Sequence, residues 1–271
     1  MTATVRMPTL FIPHGGGPCF FMEMPLGWPA DLWDGMEAYL RDLPATLEER
    51  PRAILIISGH WLTKRPTVNV AAHPTLLYDY YGFPEHTYRL TYPVAGATDL
   101  APRVEALLTE AGLAMDKEER RGLDHGVFIP LKVSYPEADV PVLQLSLQQD
   151  LDPAQHLAIG RALAPLRDEG VLIIGSGMSY HNLAHFGPGP GDRDAEQFDN
   201  WLYETLTRVD PAEREKRLNE WEAAPGGLAS HPTSEHLLPL MVAVGAADNA
   251  PGTRDYNERL LGKAISGFRF G

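Results

Sequence analysis

The chain has 271 residues, 44% of them hydrophobic and 22% charged, which is enough apolar material to bury one large core. Its formal net charge of −13 argues against a nucleic-acid binder and against docking on anionic membranes, because both need a basic face. A single cysteine, Cys19, rules out an internal disulfide framework and a cysteine-based zinc cluster, and it fits a reducing cytoplasm.

In chain order, the first predicted strand is Thr9–Pro13 ("TLFIP"), ending at His14 and three glycines. The apolar segment there is too short for a signal-peptide core, and no run approaches the ~18 residues of a membrane span, so a soluble cytoplasmic protein is expected. Strands Ala53–Ser58 ("AILIIS") and Val68–Ala72 follow, then a helix over Asp99–Ala111 with Leu100, Val104, Leu107 and Leu108 on one face. Strand Val140–Leu147 ("VPVLQLSL"), helix Pro153–Asp168 and strand Val171–Gly175 ("VLIIG") come next. Gly187–Asp194 ("GPGPGDRD") reads as a loop before a helix. Asp192–Val209 and Ala212–Glu222 read as polar surface helices, and Ser234–Ala246 as a buried one. Four of the five strands (the first, second, fourth and fifth) read as buried with little alternation, the pattern of a parallel sheet covered on both faces. The expectation is an α/β fold in a single domain over 1–271, with a central, mostly parallel sheet flanked by helices.

The chain has ten histidines, and their placement is informative. His14 follows the first strand, His60 the second ("ILIISGHW") and His181 the fifth ("VLIIGSGMSYHN"). Parallel strands would bring all three to the carboxyl edge of one sheet, where α/β proteins bind ligands. Imidazoles gathered there suit zinc, iron, copper or nickel. In "GLDHGVFIPL", Asp124 either orients His125 or caps a helix starting there. In "SHPTSEHLLPL", His231 and His236 are five apart and cannot share one helix face. His236 enters an apolar helix and is the better candidate for a buried ligand. His73, Tyr78, Tyr80, Tyr81 and Phe83 form an aromatic loop that either lines a pocket or packs; His86, His156 and His185 read as surface or local hydrogen-bonding residues.

The loop "PHGGGP" admits three chemistries. An oxyanion hole would need a Gly-x-Ser-x-Gly elbow, and the nearest match, Gly177–Met178–Ser179–Tyr180–His181, puts a large side chain where the turn is too tight. A phosphate loop would need a following lysine, and the dinucleotide fingerprint fails at Phe20. A metal-site loop remains, with Gly15, Gly16 and Gly17 letting the backbone turn sharply beside His14 and leaving room for a ligand.

Five blocks, "PTLFIPHGGGP", "AILIISGHW", "DHGVFIPLKVSYPEADVPVLQLSL", "GSGMSYHNL" and "HPTSEHLLPL", together resemble the class III extradiol ring-cleavage dioxygenases, most closely the 4,5-DOPA extradiol dioxygenase-like branch. They stand in the family's order and cover nearly the whole chain. The resemblance implies a non-haem metal at the sheet edge held by His14, His60 and His236. His181 would be a fourth ligand or the acid/base group, and His125 a neighbouring histidine that helps proton transfer. The classical set of two histidines and a glutamate is replaced in this branch by histidine, here His236, with Glu235 adjacent. The family's Gly-Ser-Pro is Gly-Gly-Gly-Pro here, which removes one hydroxyl beside the site.

The resemblance further implies iron(II), with a catechol such as DOPA as substrate and dioxygen as co-substrate. Gly15 and Gly16 would make room for the ring, and Trp61 would stack on it. Arg89, Lys132 and Arg254 are the cations considered for a substrate carboxylate. An all-histidine site also accepts zinc, which has no redox chemistry. The alternatives are therefore a zinc-dependent hydrolase or lytic enzyme on the same scaffold, or a non-catalytic metal-binding protein.

Overall fold

The apolar runs become the middle of an eight-stranded sheet. A computed structural model describes residues 5–271, so the first four residues of the expected domain, and of the N-terminal stretch, lie outside it. The strands are β1 (Thr9–Pro13), β2 (Ala53–Thr63), β3 (Thr67–Asn69), β4 (Asp116–Glu118), β5 (Val142–Gln148), β6 (Val171–Gly177), β7 (Gly252–Leu260) and β8 (Lys263–Phe270). The helices are α1 (Asp34–Asp42), α2 (Ala101–Glu110), α3 (His125–Ser134), α4 (Pro153–Leu163), α5 (Asp192–Thr207), α6 (Pro211–Asn219), α7 (Gly227–Ser230) and α8 (Leu238–Ala246).

The sheet runs β4-β3-β5-β2-β6-β1-β8-β7. Its four central strands, β5, β2, β6 and β1, are mutually parallel, and β3 and β8 join them antiparallel on the two sides. The molecule is thus the expected single α/β domain with a mostly parallel sheet between helices. Each central strand is buried on both faces, and the pleat sorts its residues. Phe11, Leu55, Ile57, Leu145 and Ile173 pack with Val104 of α2, Leu157 of α4 and Met241 of α8. Leu10, Ile12, Ile54, Ile56, Leu172 and Ile174 pack with Met36 and Leu40 of α1 and Val127, Phe128 and Leu131 of α3. Two apolar layers, one on each face, explain why β1, β2 and β6 show little polar alternation, whereas β5 places Gln144 and Ser146 on the face opposite Leu143, Leu145 and Leu147. Among the described residues, no helix is long and apolar enough to cross a membrane.

The differences from the sequence reading have local causes. β2 does not stop at Ser58 but continues through His60 and Trp61 to Thr63, with its pairing to β5 shifting register between Ile57 and Leu62. The last apolar helix starts at Leu238, not Ser234, because the preceding residues form a turn closed by the N–H groups of Leu237 and Leu238 on the Ser234 carbonyl (2.8 and 3.0 Å). The strand expected over Val68–Ala72 is the short strand β3, which lies between β4 and β5 and ends at Asn69. The β7–β8 hairpin was not anticipated: β7 is charged and half-exposed, so it has no apolar run. Its turn has positive φ at both Leu261 (48°) and Gly262 (89°), the geometry of a tight hairpin turn.

Candidate metal centre

Five histidines meet at the carboxyl edge of the central strands. His14 extends β1, its N–H donating to the Gly177 carbonyl at 3.2 Å. The chain then turns away through Gly15 and Gly17, whose φ of 81° and 57° lie in the left-handed region that favours glycine. His60 lies on the same side of β2 as Ile54 and Ile56, facing α3. His125 is the first residue of α3. His236 sits in the turn before α8, pressed against β2 at Gly59, where a Cβ would lie 2.9 Å from the Glu235 carbonyl oxygen. His181 follows β6 by four residues, its N–H donating to the Ser230 carbonyl at 2.9 Å.

His14, His60 and His236 each offer a ligand atom, and these atoms lie within 4.8 Å of one another. The His60 and His236 Nε2 atoms are 3.1 Å apart. His14 is 2% exposed, and neither of its ring nitrogens has a hydrogen-bond partner. A buried imidazole normally satisfies both nitrogens, so this one, with two others facing it, has the donor arrangement that a cation would complete. His125 flanks the set, 4.0 Å from His60 and 5.3 Å from His14 between ring centroids. His181 lies outside the triad, stacked on His236 at 3.4 Å with 14° between planes.

Two carboxylates stand behind these rings. Asp79 accepts from His125 Nδ1 at 2.8 Å and from its backbone N–H at 3.0 Å, and lies 3.6 Å from His60 Nδ1. Glu235 lies 3.1 Å from His236 Nδ1 and 3.6 Å from His181 Nδ1. A carboxylate on Nδ1 fixes that nitrogen as the donor and leaves Nε2 with a free lone pair. Burial first, and the neighbouring histidines second, hold His14 and His236 well below the usual imidazole value and push His60 down to about 4. His181 is lowered mainly by burial. Three of the four are thus neutral imidazoles at physiological pH by a wide margin, the state a metal requires. Burial alone would raise Asp79, but hydrogen bonds and charge from His125 hold it below the ordinary carboxylate value.

Asp124 does not orient His125, contrary to one of the two sequence readings. It occupies the N-cap position of α3 without making a side-chain cap bond. Its fully buried carboxylate accepts instead from Ser58 Oγ (2.6 Å), Gln144 Nε2 (2.6 Å) and Arg121 Nη1 (3.0 Å). The Arg121 guanidinium also donates to the His60 carbonyl at 2.9 Å, so this network fixes the histidine-bearing strand to α3. The orienting role falls to Asp79, which the sequence reading missed; it stands between Tyr78 and Tyr80, in a loop that looked merely aromatic.

A cavity of about 520 Å³ opens over the histidines and is lined by Gly15, Gly16 and Gly17 as well as His14, His60, His125, His181 and His236. Trp61 does not line it. Adjacent strand residues point to opposite faces, so with His60 facing the site Trp61 faces away, beneath the Arg121 guanidinium at 4.8 Å. From the aromatic loop, Tyr80, Tyr81 and Phe83 reach the cavity, whereas the Tyr78 hydroxyl donates to the Leu90 carbonyl and His73 is exposed. The remaining histidines divide. His86 and His185 are exposed, and His156 takes the local hydrogen-bonding alternative, fully buried with Nε2 accepting from the Gln148 N–H (3.0 Å) and Nδ1 donating to the Asp152 carbonyl (2.7 Å).

Residues 8–269 match the family described as the catalytic LigB subunit of aromatic ring-opening dioxygenase. The chain is 45% identical over 204 residues to a 4,5-DOPA dioxygenase extradiol of Beta vulgaris, covering 73% of this chain and 74% of that protein. It is 36% identical over 253 residues to the Escherichia coli K12 protein of the same name, covering 91% and 87%. It is also 36% identical over 289 residues to the dioxygenase tasH of Hapsidospora irregularis, covering 99% and 88%. The crystal structure of an uncharacterized Escherichia coli K12 protein superposes with a TM-score of 0.77 at 31% identity, covering 98% of this chain and all of that one.

Proposed function

Because the chain belongs to the LigB family of aromatic ring-opening dioxygenases, we propose that it is a metal-dependent extradiol dioxygenase opening the ring of a catechol with dioxygen. The observation that carries the metal is His14, buried with both ring nitrogens unpartnered beside the facing Nε2 atoms of His60 and His236. We assign these three residues to hold the ion and take iron(II) as the ion. Bound there, iron(II) would supply the redox coupling between an electron-rich catechol and dioxygen that zinc lacks.

The chain's own groups divide the remaining work. His125 lines the cavity with Nδ1 committed to Asp79, so Nε2 is the atom free to take a catechol hydroxyl proton. The Asp79 carboxylate then stabilises the resulting imidazolium. His181, backed by Glu235 on the other side of His236, faces the same cavity and holds the substrate or passes a proton there. The aromatic walls shield the histidines in part, His60 and His181 remaining about one-fifth exposed. In the overall reaction one ring C–C bond beside the diol and the O–O bond break, and both oxygen atoms enter the product. Catechol plus dioxygen gives a hydroxymuconic semialdehyde with no other oxidant or reductant.

Anaerobic loading of metal-free protein with iron(II), followed by catechol and then oxygen, tests the reading. One dioxygen consumed per yellow semialdehyde formed supports it, and zinc-loaded protein should be inactive in the same assay. Ester or amide hydrolysis by the zinc form, with no oxygen uptake by the iron form on any catechol, overturns it.

A further inference from the structure

The walls of the cavity beyond the histidines are largely apolar, the hydroxyls of Tyr80 and Tyr81 apart. Met22, Met24, Trp28, Trp33, Leu183 and Phe186 line them, and the Trp33 and Phe186 rings lie nearly parallel, 9° apart. The apolar surface continues to the mouth, where Trp28 is 43% and Leu183 71% exposed. Among the described residues that line the cavity there is no Lys, Arg, Asp or Glu. The cations named from the sequence are engaged elsewhere. Arg89 pairs with Glu85, Lys132 donates to the Thr91 carbonyl at 2.9 Å, and Arg254 pairs with Asp199 at 2.9 Å. The Tyr80 hydroxyl is likewise spent on the Thr87 carbonyl at 2.7 Å. Asp79 and Glu235 face the histidine rings and do not line the cavity.

We propose that the substrate is a neutral catechol carrying an apolar ring substituent, and that this cavity selects against catechols bearing a carboxylate or an amino-acid side chain. The inference rests on the ring-opening reading for the placing of the diol at the histidines. With the diol fixed there, the substituent runs along the apolar wall toward Leu183 and Trp28. A carboxylate on that path loses water and meets no cation, and an ammonium meets no carboxylate. An alkyl or aryl group on the same path gains by burial. The formal net charge of −13 further disfavours an anionic substrate at long range.

The test is a matched pair, 4-propylcatechol against 3-(3,4-dihydroxyphenyl)propanoate, with L-DOPA as a third ligand. Binding to the anaerobic iron(II) protein is read by quenching of tryptophan fluorescence, and turnover by oxygen uptake. Both members share the diol, so contacts to the metal and histidines cancel. The neutral member should bind at least about tenfold more tightly, the order set by leaving a charged group unpaired, and the difference should appear in KM. Leu183→Arg should bring the acid to within a few-fold of the neutral member. Equal or tighter binding of the acid or of L-DOPA than of the neutral member by the parent protein, quenching by neither member, or no effect of Leu183→Arg on the ratio of acid to neutral member would each overturn the inference. Selective binding of the neutral member with no oxygen uptake would uphold the preference and sink the ring-opening reading instead.

Discussion

His14 is the residue on which the site turns. A buried imidazole with two unpartnered nitrogens costs the protein stability unless an ion completes it. His14→Ala should therefore abolish stoichiometric metal binding while leaving the metal-free protein folded, read by metal content and by melting with a chelator present. Asp79 acts through its partners. In Asp79→Asn the side-chain oxygen can still accept from His125, but the charge that steadies an imidazolium is gone. Metal content should persist and turnover should fall by about 10- to 100-fold, the usual scale for a group supporting a metal-site histidine. Retained full activity would remove Asp79 from the proton-transfer assignment. His125→Ala should also keep the metal and lose about 100-fold in turnover if His125 is the acid/base group. Cys19 has a different standing. Although it lines the cavity, burial raises its thiol far above the reactive range, so it is a packed apolar group there.

The elements matter because each ligand comes from a different one, and their separations set the geometry. β2 and the turn before α8 meet at Gly59, where the backbone of Glu235 and His236 lies against the space a side chain would fill. Gly59→Ala should push that turn away by a few tenths of an ångström, loosening the approach of His236 to His60. The expected result is a loss of about 1–3 kcal/mol in stability, as for other overpacked sites, together with weaker metal binding. A chemical-denaturation curve and a metal titration measure the two effects, and an unchanged metal affinity would show that the close approach does not set the site. On the opposite side of β2, Asp124 joins Ser58, Gln144 and Arg121, fixing the start of α3 and hence His125 relative to the ligands.

Across the whole molecule, buried neutral histidines tie stability to pH. His231 and His156 lie outside the proposed ligand set and are fully buried. Burial, the largest cause for both, lowers His156 and pushes His231 down to about 3. A histidine whose folded value is depressed contributes its full stability above its unfolded value near 6.5. As pH falls below that value the unfolded chain takes up protons that the folded chain refuses. Stability then falls by roughly 1.4 kcal/mol per pH unit for each such histidine. For His231 the decline continues to about pH 3. Urea unfolding of the metal-free protein between pH 7 and 4 should show this slope, and His231→Asn should make it shallower by about one proton. An unchanged slope in that variant would mean that His231 is protonated in the folded state.

The sequence by itself determined the central strands of the sheet, because continuous apolar runs such as "AILIIS" and "VLIIG" make sense only when both faces of a strand are covered; the charged β7 and its hairpin partner were not legible there. It also pointed to the site, because histidines at the ends of parallel strands must gather at one edge. Asp79, Trp61 and the charge of the cavity wall were not legible there. Asp79 serves rings that are 19 and 46 residues away along the chain, and no local pattern links it to them. Trp61 looked like a partner for the ring only until β2 proved to run through it, so that the pleat turned its side chain away from His60. The cations that could have met a substrate acid were visible, but their partners were not. Only tertiary structure decides these points, because burial, partner and direction are properties of what packs around a side chain, and residues distant in sequence do that packing.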